Sequence, residues 1–145
     1  FKDTSQESMM YWEGNMGADY DSTALFTVYL YNHFGKEIIT DIISSKDMPK
    51  TVISNSYINF RDIFLDWMTA VYANNYMLSE KYSIDFETKT NYKPSYALLT
   101  DKLTDEFTIK ANGIKYYRVE GIDGTTSLVL DFNEKANVTV MKFDK

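Results

Sequence analysis

His33 is the single histidine of the chain, and there is no cysteine, so metal and nucleophile chemistry must be argued from very few residues. A zinc-peptidase helix of the form His-Glu-x-x-His needs two imidazoles one turn apart, which this chain cannot supply. The lack of cysteine removes thiolate zinc sites, disulfides and cysteine nucleophiles together. A Ser-His-Asp triad is possible by count, yet no G-x-S-x-G elbow is present. His33 falls in the last turn of an apolar helical run, where packing and interaction with the helix C-terminus are its expected roles.

The acidic residues are equally sparing. Glu13, Asp19 and Asp21 cluster loosely, but their spacing does not fit an EF-hand loop, and capping of a helix is the simpler role for Asp21. Asp101, Asp105, Glu106 and Asp123 read as solvated loop charges. Gly14-x-x-Gly17 is too short to cradle a phosphate and lacks the lysine of a P-loop. Phe60, Phe64 and Trp67 could line a groove, although core packing is the expected role. Asn137-Val-Thr139 matches a glycosylation sequon and, within an expected strand, is read as a chance match. No catalytic, cofactor-binding or metal-ligating residue is assigned.

The elements that would position these residues follow from periodicity. Ala18–Gly35 reads as a helix whose start Asp21 or Ser22 can cap and whose end Gly35 can close in a left-handed conformation. Ala24, Leu25, Phe26, Val28, Tyr29, Leu30, Tyr31 and Phe34 leave it almost no polar face, so burial on most sides is expected. Ile38, Ile39, Ile42 and Ile43 mark a second helix over Lys36–Ser45, ended by the linker to Pro49. A short helical turn is expected at Thr51–Asn55. Phe60, Ile63, Phe64, Trp67, Met68 and Val71 recur at helical spacing over Asn59 to Asn74, with Asn59 as N-cap and Asp62 in the first turn.

From Tyr76 to Thr104 the signals weaken, and Asn91–Tyr96 suggests an extended connector. Phe107–Lys110, Ile114–Val119, Ser127–Phe132 and Val138–Phe143 then read as four short strands, with Asn112-Gly113 as a hairpin turn. Leu128, Leu130 and Phe132 share one face of the third strand, and Val138 and Val140 one face of the fourth. The expected fold is α+β: a helical subdomain over 1–80 with three main helices, a connector over 81–104 and a small antiparallel β-module over 105–145.

Composition bounds the function classes. The 145 residues suffice for one domain with a core of its own, within the common range of roughly 100 to 150. A net charge of -6, with 15 scattered basic residues, argues against nucleic acid and other anionic partners. No apolar run approaches the ~20 residues of a membrane span, and the first residues do not resemble a signal peptide. The start at Phe1 suggests a fragment, a processed product or a trimmed piece of a longer protein.

Several of these patterns together resemble the C-terminal part of a gluzincin-type zinc metallopeptidase of the hyicolysin family, and more loosely immune inhibitor A-like secreted peptidases. The residues that carry the resemblance are Asp19-Tyr20, Ala24-Leu25-Phe26, Tyr29-Leu30-Tyr31 and Phe34-Gly35, then the Ile-rich run Glu37–Ile43. Phe60, Phe64, Asp66-Trp67, Ala70 and Tyr72 match a following helix, and Tyr116–Gly121 a strand of the module beyond it. The resemblance covers roughly 18–75 and 105–143. It implies an extracellular or cell-surface bacterial protein whose zinc ligands and catalytic glutamate lie before Phe1, with zinc in the parent protein and none in this chain. Its implied partners are the N-terminal catalytic part of the same protein and a peptide or protein substrate. The alternative reading is an extracellular binding module without enzymatic activity, in which Tyr116 and Tyr117 form the interaction surface.

Overall fold

The computed structural model describes residues 16–73, 80–85, 97–99, 115–119 and 135–141. The described part is mostly helical. In chain order come α1 (Met16–Ser44), α2 (Pro49–Ser56), α3 (Phe60–Ala73), a 3-10 turn at Glu80–Tyr82, β1 (Ala97–Leu99) and β2 (Tyr117–Val119). Among the described residues no helix is long and apolar enough to cross a membrane.

α1 joins the first two expected helices through a kink at Gly35, whose φ of 75° and ψ of -171° leave the helical range. That positive φ is one glycine adopts without the clash a Cβ would bring, and the extended ψ sets it apart from the left-handed helical closure expected there. Past the kink the Ile-rich arm turns inward, and Ile38 is completely buried. The N-terminal boundary differs from expectation, since the helix is already formed at Met16 and both Asp21 and Ser22 lie inside it. Neither residue is therefore the cap.

The burial of α1 is also narrower than its composition suggests. Leu25, Phe26, Tyr29 and Leu30 form one buried stripe, whereas Tyr20 and Tyr31 remain 61% and 56% exposed. Thr23 and Thr27 share an exposed face, where the Thr27 hydroxyl donates to the Thr23 carbonyl at 2.8 Å. The tyrosine rings keep their apolar bodies on this face without closing it over, so the helix is covered along one side.

Pro49 does end the linker, and it also opens α2, at a position where the absent proline N–H costs no helical hydrogen bond. α2 runs longer than the turn expected at Thr51–Asn55 and buries Val52 and Ile53. α3 starts as the sequence indicates. Asn59 Oδ1 accepts a 2.9 Å hydrogen bond from the Arg61 N–H, which satisfies one free donor of the first turn. The periodic residues Ile63, Phe64, Trp67 and Val71 are buried, together with Ala70.

The α1 and α3 stripes meet in an aromatic cluster. The Phe26 ring sits edge-on to Trp67 at 5.3 Å, to Phe60 at 6.0 Å and to Phe64 at 6.5 Å between centroids. Such pairs contribute about 0.5–1.5 kcal/mol each beyond the area they bury. Trp67 is fully buried, and its indole N–H has no hydrogen-bond partner among the described residues. An unmade bond of this kind costs about 1–3 kcal/mol, less than the about 3–5 kcal/mol lost when a core Phe or Trp is cut to alanine.

The β half departs from the expected antiparallel module. β1 and β2 pair in parallel, with Ala97 opposite Tyr117, Leu98 opposite Arg118 and Leu99 opposite Val119. A parallel pair cannot be closed by a tight hairpin and needs a long crossover. β2 falls within the expected strand Ile114–Val119, but its partner comes from the expected connector, beyond Pro94. Residues 135–141 carry no ladder, and Val138 and Val140 stand 51% and 82% exposed. Among the described residues the alternation of Val138 and Val140 meets no partner strand. The expected strands Phe107–Lys110 and Ser127–Phe132, and the Asn112-Gly113 turn, lie outside the described residues.

The kink gives a direct test. A Cβ on Gly35 would lie 2.7 Å from the Glu37 Oε2 and would also impose a side chain on a positive φ. Gly35→Ala is expected to lower the stability of the folded chain by about 1 kcal/mol or more, measured by denaturant unfolding.

Candidate functional site

The polar groups that converge in the described structure lie where one short segment crosses the helical layer. Glu80–Asp85 runs over α1 and α3, starting with the 3-10 turn and continuing through Ile84, which is buried in the core. Three residues of α1 reach its backbone. The Tyr29 hydroxyl donates to the Lys81 carbonyl at 3.2 Å, His33 Nε2 lies 2.9 Å from the Ser83 carbonyl, and Asn32 Oδ1 accepts from the Asp85 N–H at 2.9 Å.

Two periodicities explain this fit. Positions 29, 32 and 33 share one face of a helix, while residues 81, 83 and 85 alternate along the crossing segment. The fourth tie is ionic: Lys81 Nζ sits 2.9 Å from Asp66 Oδ1 of α3. Its ammonium also stands 5.4 Å from the centre of the Tyr82 ring.

The chemistry of these groups is set by their partners. A carbonyl can only accept, so His33 Nε2 carries the hydrogen and donates it. That nitrogen is thereby unable to take a proton from a hydroxyl. The Ser83 hydroxyl is itself donated to the Glu80 carbonyl at 2.7 Å, so histidine and serine do not form a nucleophile–base pair through Nε2. Burial raises the Tyr29 hydroxyl well above the ordinary tyrosine range, and the charge of Asp66 and then Tyr82 add to the effect. Tyr29 is held as a neutral donor. The Lys81 ammonium is raised first by its hydrogen bond to Asp66, against a lowering by burial, and so stays cationic.

His33 therefore has a different partner from the helix C-terminus expected of it. Its ring packs on Tyr29, with centroids 4.3 Å apart, and its polar end holds main chain 50 residues further on. Phe60, Phe64 and Trp67 belong to the aromatic cluster described above. Among the described residues, no group of three or more His, Cys, Asp or Glu side chains could hold a metal ion. Asp21 is exposed on α1. The side chains of Glu13 and Asp19, with Gly14, Asp101, Asp105, Glu106 and Asp123, lie outside the described residues.

The tyrosines of the possible interaction surface have distinct settings. The Tyr116 hydroxyl donates to the Met68 carbonyl of α3 at 2.8 Å, and its ring lies 5.3 Å from that of Tyr72. Tyr117 is half-buried in β2, with the Lys115 ammonium 5.2 Å from its ring centre. The sequon residue Asn137 lies on an exposed stretch, and its Oδ1 accepts from Arg61 Nη2 at 2.6 Å.

Comparison with family models, curated proteins and solved structures finds no match for this chain. The crossing segment is the feature that sequence reasoning missed, because Lys81–Asp85 has no periodicity and falls in the expected connector. The one available signal was the placement of Tyr29, Asn32 and His33, three hydrogen-bonding side chains on one face of a helix.

Two measurements follow. Tyr29→Phe keeps the ring and removes the donor, so it is expected to lower stability by about 1 kcal/mol in denaturant unfolding, with the Lys81 carbonyl left unpaired. A second tyrosine, Tyr57, donates to Asp41 Oδ2 at 2.6 Å. This bond, then burial and the nearby carboxylates, pushes Tyr57 from 10.0 up to about 12. The folded state thus holds this proton more tightly than the unfolded chain. Stability from the Tyr57–Asp41 bond is fully present below about pH 10 and is lost as pH rises through about 12. In an NMR titration Tyr57 is expected to ionise late, and Asp41→Asn to bring its midpoint back toward 10.

Proposed function

We propose that this chain is the C-terminal, non-catalytic portion of a secreted bacterial zinc metallopeptidase, whose helices support one wall of the substrate cleft. The zinc-binding motif and the catalytic glutamate belong to residues before Phe1, and the residues from 105 onward form an appended module. The partners are the catalytic part of the same protein and, through it, a peptide or protein substrate.

One observation carries this reading. Seven of the residues on which the resemblance rests build the α1–α3 layer, Leu25, Phe26, Tyr29 and Leu30 on one side and Phe64, Trp67 and Ala70 on the other, while Tyr20, Ala24 and Tyr31 stand on its exposed face. Gly35, which ends the first of the shared patterns, holds the positive φ that turns the Ile-rich arm inward. The shared pattern is thus a packing pattern, as suits a supporting lobe. His33 agrees with it, since its Nε2 serves the backbone of Ser83. The alternative binding module relies on Tyr116 and Tyr117, and the bond from Tyr116 to Met68 favours a packing role for the first of them.

Zinc content and peptide hydrolysis of the longer protein, measured beside those of the folded 145-residue chain, test the proposal. The longer protein is expected to bind zinc stoichiometrically and cleave peptides, and the chain alone to do neither. A longer protein that folds but holds no zinc and cleaves nothing contradicts it.

A further inference from the structure

We draw no further inference here: the strongest candidate, the exposed apolar end of the helical layer formed by Ile43 of α1 and Met48 before α2, is an unpartnered face, and nothing in the structure shows what covers it.

Discussion

The edge-to-face contact between Phe26 of α1 and Trp67 of α3 is the interaction on which the rest of the described structure depends. It fixes the distance between the two helices, and the buried residues on either side of it, from Leu25 and Tyr29 to Ile63 and Val71, follow from that spacing. The contact is apolar in character. Trp67 brings into the core an N–H unpaired among the described residues, and the ring's burial outweighs that loss. A layer built in this way tolerates little change of volume at its centre and much more along the exposed face of Tyr20 and Tyr31.

The polar chemistry is arranged around this core and in its service. Tyr29 contributes its ring to the aromatic layer and its hydroxyl to the crossing segment, so packing and hydrogen bonding are coupled in one side chain. His33 and Asn32 continue the same face and hold alternate backbone groups, while Lys81 pairs with Asp66 from the other helix. The exposed ion pair contributes little by itself, since pairs in water are worth about 0–1 kcal/mol. Ile84, the buried residue of the segment, adds about 1.5–3 kcal/mol through the burial of its side chain. Groups whose donors and acceptors are used in this way hold main chain in place and leave His33 and Ser83 without the geometry of a nucleophile and its base.

The helical half was legible because its signals are local. The kink at Gly35, the cap at Asn59 and the stripe Ile63, Phe64, Trp67 and Val71 each follow from residues within a few positions of one another. The start of α1 was misplaced because Asp21 and Ser22 are good caps by type, and the helix had already begun a turn earlier. Its girth was overestimated because tyrosine counts as apolar in a pattern, yet Tyr20 and Tyr31 can stand in water. The β pairing was not legible at all: nothing local links Ala97–Leu99 with Tyr117–Val119, and a parallel partner twenty residues away leaves no turn signature. The crossing segment at Glu80–Asp85 was hidden for the same reason. Its bonds to α1 span about fifty residues of sequence.

For function, the consequence is that many of the motif positions are core positions, and the proposal of a supporting lobe is drawn from that overlap. The most direct measurement is a double-mutant cycle across the contact named first, using Phe26→Leu, Trp67→Leu and the pair, with stability read from denaturant unfolding. A coupling energy of about 1 kcal/mol between the two positions is the result expected of an aromatic pair that joins α1 to α3. Strictly additive losses, or full stability retained by the double variant, would contradict the claim that this packing holds the layer together.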